Sequence, residues 1–92
     1  MLVKNLHSPN VTIIGGALNA WKDYKGIKRT VNIRCVRCKV RTAEHGGHVI
    51  KAVLNASKEW YIVPLCAHCN ELKDDTAFSV PAELMVRVSD LK

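Results

Sequence analysis

Two apolar runs dominate the pattern along the chain: His48-Val-Ile-Lys-Ala-Val-Leu54 and Trp60-Tyr-Ile-Val-Pro-Leu65, on either side of Asn55–Glu59. Short apolar runs bounded by polar turn residues predict strands, and two of them around a five-residue loop predict an antiparallel hairpin. Pro64 cannot donate to a ladder, so it suits a strand end. Val11-Thr-Ile-Ile14 is β-branched and stops at Gly15-Gly16, which reads as another strand. Thr30-Val-Asn-Ile-Arg34 alternates apolar and polar and predicts a strand leading into Cys35. Ala17 to Lys25 reads as a brief helix or irregular turn closed by Gly26, and Cys66 to about Asp75 as a short helix. Leu84-Met-Val-Arg-Val88, after Pro81, predicts a last, edge-like strand. No repeat, linker or low-complexity stretch interrupts these elements, so one domain over residues 1–92 is expected, with its core in 30–76.

Composition narrows the class. Apolar residues make up 48% and charged ones 24%, with mean hydropathy −0.02, the balance of a globular chain and not of a disordered one. A domain of 92 residues buries a limited core and often adds a metal or disulfides. No apolar run approaches the ~20 residues of a membrane span. The first nine residues hold no apolar segment of the kind a secretory signal needs, so a cytoplasmic protein with no membrane partner is expected.

Charge is unevenly spread. The net charge is +6, yet between Lys22 and Arg41 eight cations (Lys22, Lys25, Lys28, Arg29, Arg34, Arg37, Lys39 and Arg41) face Asp23 alone. That segment carries +7 and the remainder −1, the footprint expected of a nucleic-acid binder. The plainer reading is a solvated face that keeps a small protein in solution. Trp21 and Tyr24 beside Lys22 and Lys25 suit base stacking with phosphate contact, although Trp21 also reads as the cap of a small core.

The four cysteines form two C-x-x-C units, Cys35-Val-Arg-Cys38 and Cys66-Ala-His-Cys69. Two disulfides are one use for them. In a reducing compartment a closed tetrahedral site for a structural Zn²⁺ is the stronger one, since each pair brings two sulfurs to the same ion. A site with four thiolates has no open position, so it folds the domain and does no catalysis.

The order of these parts, a knuckle at Cys35/Cys38, then a hairpin, then a helix opening with Cys66 and Cys69, resembles the treble-clef zinc finger. The expected fold is therefore α+β: a small zinc-stabilised treble clef of knuckle, hairpin and short helix, with flanking strands. Gly47-His48-Val-Ile and Leu65-Cys66-Ala-His-Cys69-Asn70-Glu-Leu-Lys73 narrow the likeness further. They resemble the zinc-containing HNH (His-Asn-His) endonucleases over roughly residues 35–75. The resemblance implies His48 as the general base that deprotonates the attacking water. It implies Asn70 as a metal contact on the helix, with Asp74 as a possible second ligand for Mg²⁺ or Mn²⁺ and Lys73 as a phosphate contact. Two positions depart from the family: Gly47 stands where a metal-binding Asp is usual, and Tyr61 where the middle Asn would fall. Glu44 or His45 would have to replace the missing carboxylate. Outside the motif, His48 reads as an ordinary hydrogen-bonded histidine, Asn70 as a helix-start residue and Asp74 as a surface acid.

Three functions follow as expectations. A zinc module that binds DNA or RNA without cutting it accounts for the basic segment and the departures. An HNH-type nickase would use His48 and Asn70. An interaction protein, such as an inhibitor from a phage or mobile element, would use the frame to hold a protein partner.

Overall fold

The computed structural model describes residues 1–6, 13, 15–55, 58–72 and 74–91. Among these residues five strands form one antiparallel sheet in the order β4-β1-β2-β3-β5: β1 Leu2–Asn5, β2 His45–Lys51, β3 Trp60–Leu65, β4 Phe78–Ser79 and β5 Val86–Arg87. Two helices accompany it, α1 Ala17–Tyr24 and α2 Ala67–Glu71, with single 3₁₀ turns at Ala82–Leu84 and Val88–Asp90.

The two apolar runs pair as an antiparallel hairpin, with Val49 opposite Tyr61 and His48 opposite Ile62. Alternation along these strands then divides the interior in two. Val3, Val49, Tyr61, Val63 and Leu65 turn to one face and meet Cys35, Val36, Cys66, Cys69 and Val80. Ile62 and Val86 turn to the other and meet Trp21, Ile13 and Val88. β3 is thus covered on both faces, which explains why it reads as an unbroken apolar run. Pro64 fits because its carbonyl accepts from Val36 N–H at 3.0 Å on the edge beyond the end of β5. A strand residue's N–H and C=O share one edge, so the missing donor breaks no bond to β2.

Trp21, 1% exposed, fastens α1 to the second face, and its indole N–H donates to Leu84 O at 2.9 Å. Gly26, at φ 69°, turns the chain after α1 in a conformation that favours glycine. Gly46 lets the helix start lie directly on β2, since a Cβ there would stand 2.6 Å from Ala17.

Several expectations are corrected. Residues 30–34 form no strand: Arg34 makes an isolated bridge to Thr42, and Cys35 N–H reaches Arg41 O at 2.8 Å. Val31 and Asn32 are exposed, so the local alternation has no buried face to serve. The hairpin's first strand starts at His45 and ends at Lys51, earlier at both ends than its apolar run. The second helix stops at Glu71, because Leu72 is extended at ψ 122°. There Asn5 Nδ2 takes the carbonyls of Cys69 and Leu72, at 2.9 and 3.2 Å. Of the expected last strand, Val86–Arg87 alone pairs into the sheet, on its edge beside β3. Trp60 and Tyr61 do face opposite ways, yet both are packed, Tyr61 in the first core and Trp60 against the second. The expected strand at Val11–Ile14 lies outside the described residues except for the buried Ile13. No described helix is long and apolar enough to cross a membrane.

Candidate metal centre and the adjoining cleft

The four cysteines converge. Cys35 and Cys38 sit on a tight turn in which Lys39 N–H closes onto Cys35 O at 3.0 Å, with Lys39 left-handed at φ 62°. Cys66 precedes α2 and its sulfur accepts from Cys69 N–H at 3.4 Å, which sets the second pair one turn apart. Val36 N–H donates to Pro64 O at 3.0 Å and ties the first turn to the strand that delivers Cys66. All four sulfurs lie within 4.8 Å of one another, and Cys38 and Cys66 are 3.9 Å apart. Zn–S bonds of about 2.3 Å would place tetrahedral sulfurs about 3.8 Å apart. The donor set fits a structural Zn²⁺ with little adjustment.

The electrostatics of the cluster suit a bound cation. Backbone N–H groups of Arg41 and Val40 draw the Cys38 thiol down to about 6. Burial, with the Cys66 and Cys35 thiols next, pushes Cys69 up to about 12. Burial also acts to raise Cys35, but backbone N–H groups of Cys66, Cys38 and Arg37 outweigh it and lower it. Four thiols at this spacing cannot all ionise against each other, and a divalent ion removes that conflict. Among the described residues this is the one group of three or more Cys, His, Asp or Glu placed to hold an ion.

Asn70 follows the last cysteine and, with His48, lines a cleft of about 410 Å³. Glu44, His45, Gly46 and the start of α1 complete the walls. Two residues singled out by the HNH resemblance therefore share a cavity, and so do both replacements considered for its missing acid. The rest of that site is not assembled. A Cβ on Gly47 would stand 2.3 Å from Leu65 Cδ1 and 3.0 Å from Asn70 Oδ1, so an aspartate there would have to displace the buried Leu65 side chain. Tyr61 is buried in the first core. Asp74 lies beyond the end of α2 and pairs with Arg37 at 3.3 Å, which holds its carboxyl below the usual range even though desolvation acts to raise it. His48 Nε2 is buried with no partner among the described residues, its ring stands edge-on to Trp60, and burial lowers its pKa.

The basic segment is divided. Lys22 is buried and donates to Arg29 O at 3.0 Å, and Lys25 donates to Glu83 O. Arg29 makes a two-pronged pair with Asp23, at 2.7 and 3.1 Å. Arg37 lies 4.7 Å above the Phe78 ring besides pairing with Asp74. Lys28, Arg34, Lys39 and Arg41 are exposed, and the last three frame the cysteine turn. Lys73 lies outside the described residues.

Sequence reasoning missed Asn5, a buried amide whose role appears only when β1 is laid beside α2, and Leu65, whose side chain fills the space beside Gly47. Comparisons with protein-family models, with curated proteins and with solved structures returned no match.

Proposed function

We propose that the chain is a zinc-stabilised treble clef of HNH-like layout that binds nucleic acid through the outer rim of its first cysteine turn and does not cut it. The observation that carries this reading is the division of the basic segment. Lys22, Lys25, Arg29 and Arg37 are engaged by Arg29 O, Glu83 O, Asp23 and Asp74, while Arg34, Lys39 and Arg41 stand exposed around the 80%-exposed Val40, with Arg34 donating to Lys39 O at 3.4 Å within the turn. Cations on a turn held rigid by a metal meet phosphates with little side-chain ordering beyond their own, and phosphate contacts carry no sequence preference. The crowding at Gly47 and the pairing of Asp74 with Arg37 support the absence of a hydrolytic metal site.

Anisotropy of a labelled DNA duplex, titrated with zinc-loaded protein at several salt concentrations, tests the reading. Each neutralised phosphate contributes about −0.9 to the log–log salt slope, so the exposed rim predicts a slope of about −3 or steeper. The double variant Arg34→Ala/Arg41→Ala should make it shallower by about 2. Absence of salt-dependent binding, or a slope indifferent to the variant, overturns the reading.

One observation favours a second reading, an active nickase: His48 and Asn70 share a cleft with Glu44 and His45. Plasmid nicking with Mg²⁺ or Mn²⁺ that disappears in His48→Ala would establish it in place of the first.

A further inference from the structure

The four cysteines are not equally sheltered. Cys35, Cys66 and Cys69 are 1%, 0% and 3% exposed, whereas Cys38 is partly exposed. Backbone N–H groups of Arg41 and Val40 donate to the Cys38 sulfur and hold it in the turn. The cations around it face solvent: Lys39 and Arg41 are exposed, and so is Arg34, which braces the turn through Lys39 O. Asp74 does not offset them, since Arg37 engages it at 3.3 Å. A sulfur that is anionic, as a zinc ligand must be, and reachable from solvent among cations is the one an oxidant meets first.

Cys66 supplies a partner for that sulfur. Its Sγ stands 3.9 Å from Cys38 Sγ, although the two residues are 28 apart in sequence. A disulfide holds its sulfurs about 2.05 Å apart, and tetrahedral Zn²⁺ holds them about 3.8 Å apart. The two arrangements exclude one another on the same pair, so forming the bond and keeping the ion compete. We infer that Cys38 is the site at which a hydroperoxide oxidises this protein, and that Cys66 resolves the product as a disulfide that releases the zinc. The inference rests on the zinc centre and not on what the basic rim binds.

The steps balance with hydrogen peroxide as the oxidant. The Cys38 thiolate attacks one peroxide oxygen, the O–O bond breaks, and the other oxygen leaves as hydroxide and takes a proton from solvent. Cys38 is then a sulfenic acid. The Cys66 thiolate attacks the Cys38 sulfur, the S–O bond breaks, and a second hydroxide leaves and is protonated in turn. Two electrons have passed from the sulfur pair to the peroxide, which ends as two waters. The exposed cations of the turn favour the negative charge that develops on each departing oxygen. Cys35 and Cys69 alone remain for the ion, half of the closed set that holds the fold.

The test treats the full zinc-loaded chain with stepwise equivalents of hydrogen peroxide. A colorimetric chelator reads the released zinc, dimedone traps sulfenic acid, and mass spectrometry maps both the label and the disulfide. Cleavage after Arg37 separates Cys35 from Cys38, so the two are told apart directly. The expected result is dimedone on Cys38 ahead of the other three cysteines. Peptides linked through Cys38 and Cys66 should then appear, with one zinc freed per disulfide and both changes reversed by a thiol reductant with added Zn²⁺. A first label on Cys35, Cys66 or Cys69, or a Cys35–Cys38 disulfide in place of the expected one, overturns the inference. Zinc retained on four unmodified cysteines, at a peroxide level that consumes a free cysteine peptide, overturns it as well and leaves the metal centre standing. A native chain that carries no zinc before peroxide is added removes both.

Discussion

Arg37 Nη2 lies 3.3 Å from Asp74 Oδ2, and the same guanidinium covers the ring of Phe78. By sequence, one of these residues belongs to the basic run and the other to a helical metal site. In the structure each engages the other. The contact joins the cysteine turn to the segment that follows α2 and ends at the sheet edge through Phe78, which pairs with Val3.

Arg37→Ala should therefore act on stability and not on nucleic-acid affinity. The guanidinium is 12% exposed, so the loss is mainly of its packing on Phe78, about 1–2 kcal/mol. Chemical denaturation of the zinc-loaded variant reads it, and the salt slope for DNA should stay within error of wild type.

A side chain at Gly47 would have to displace Leu65. Gly47→Asp, the change that restores the usual acid of the resembled family, should destabilise by about 1–3 kcal/mol through overpacking against Leu65 and confer no nicking. Combining it with Leu65→Ala should cost less than the sum of the two single changes, because the clash and the cavity cancel in part. A double-mutant cycle by denaturation measures the difference.

Lys39 holds a left-handed conformation at φ 62° that an L side chain adopts at a cost. Lys39→Gly should stabilise by roughly 0.5–1 kcal/mol, the relief being partly offset by the entropy of glycine in the unfolded chain. The same change removes an exposed cation of the turn. Melting temperature should rise while the DNA salt slope becomes shallower by about 0.9.

His48 gives the fold a dependence on pH. Burial lowers its pKa below the ordinary 6.5, so the unfolded chain takes up the proton first as pH falls. Its neutral form contributes stability that is fully present above about pH 6.5 and is lost as pH drops toward the lowered folded value. Compared with His48→Gln, wild type should lose more stability between pH 7.5 and 5.5. Both chains keep the same cysteines, so acid effects on the metal site cancel in the comparison.

The pairing of the hairpin and the start of α2 could be read from the chain because each depends on a local pattern, an apolar run or a cysteine pair one turn apart, whereas Ala17–Lys25 fitted a helix or an irregular turn until Trp21 was seen to fasten it to the sheet. Strands of two or four residues carry no such pattern. Leu2–Asn5 and Phe78–Ser79 become strands only through Val3, which pairs with Lys51 on one side and Phe78 on the other. The end of α2 was equally hidden, since the side-chain amide that donates to the carbonyls there belongs to Asn5, far away in sequence. At the site, spacing alone foretold the convergence of the cysteines. Which cations stay free depended on distant acids and carbonyls such as Asp74 and Glu83. Residues 30–34 misled because their alternation matches a strand, while Ile33 O and Cys35 N–H serve the cysteine turn instead.

The claim beneath the whole account is that Cys35, Cys38, Cys66 and Cys69 together hold one zinc ion that keeps the fold intact. Mass spectrometry of the native chain, followed by chelation under circular dichroism, tests it most directly. The account predicts one zinc per chain with all four cysteines reduced, and cooperative loss of structure once the ion is withdrawn. A folded, zinc-free chain lighter by the hydrogens lost in forming two disulfides would contradict it.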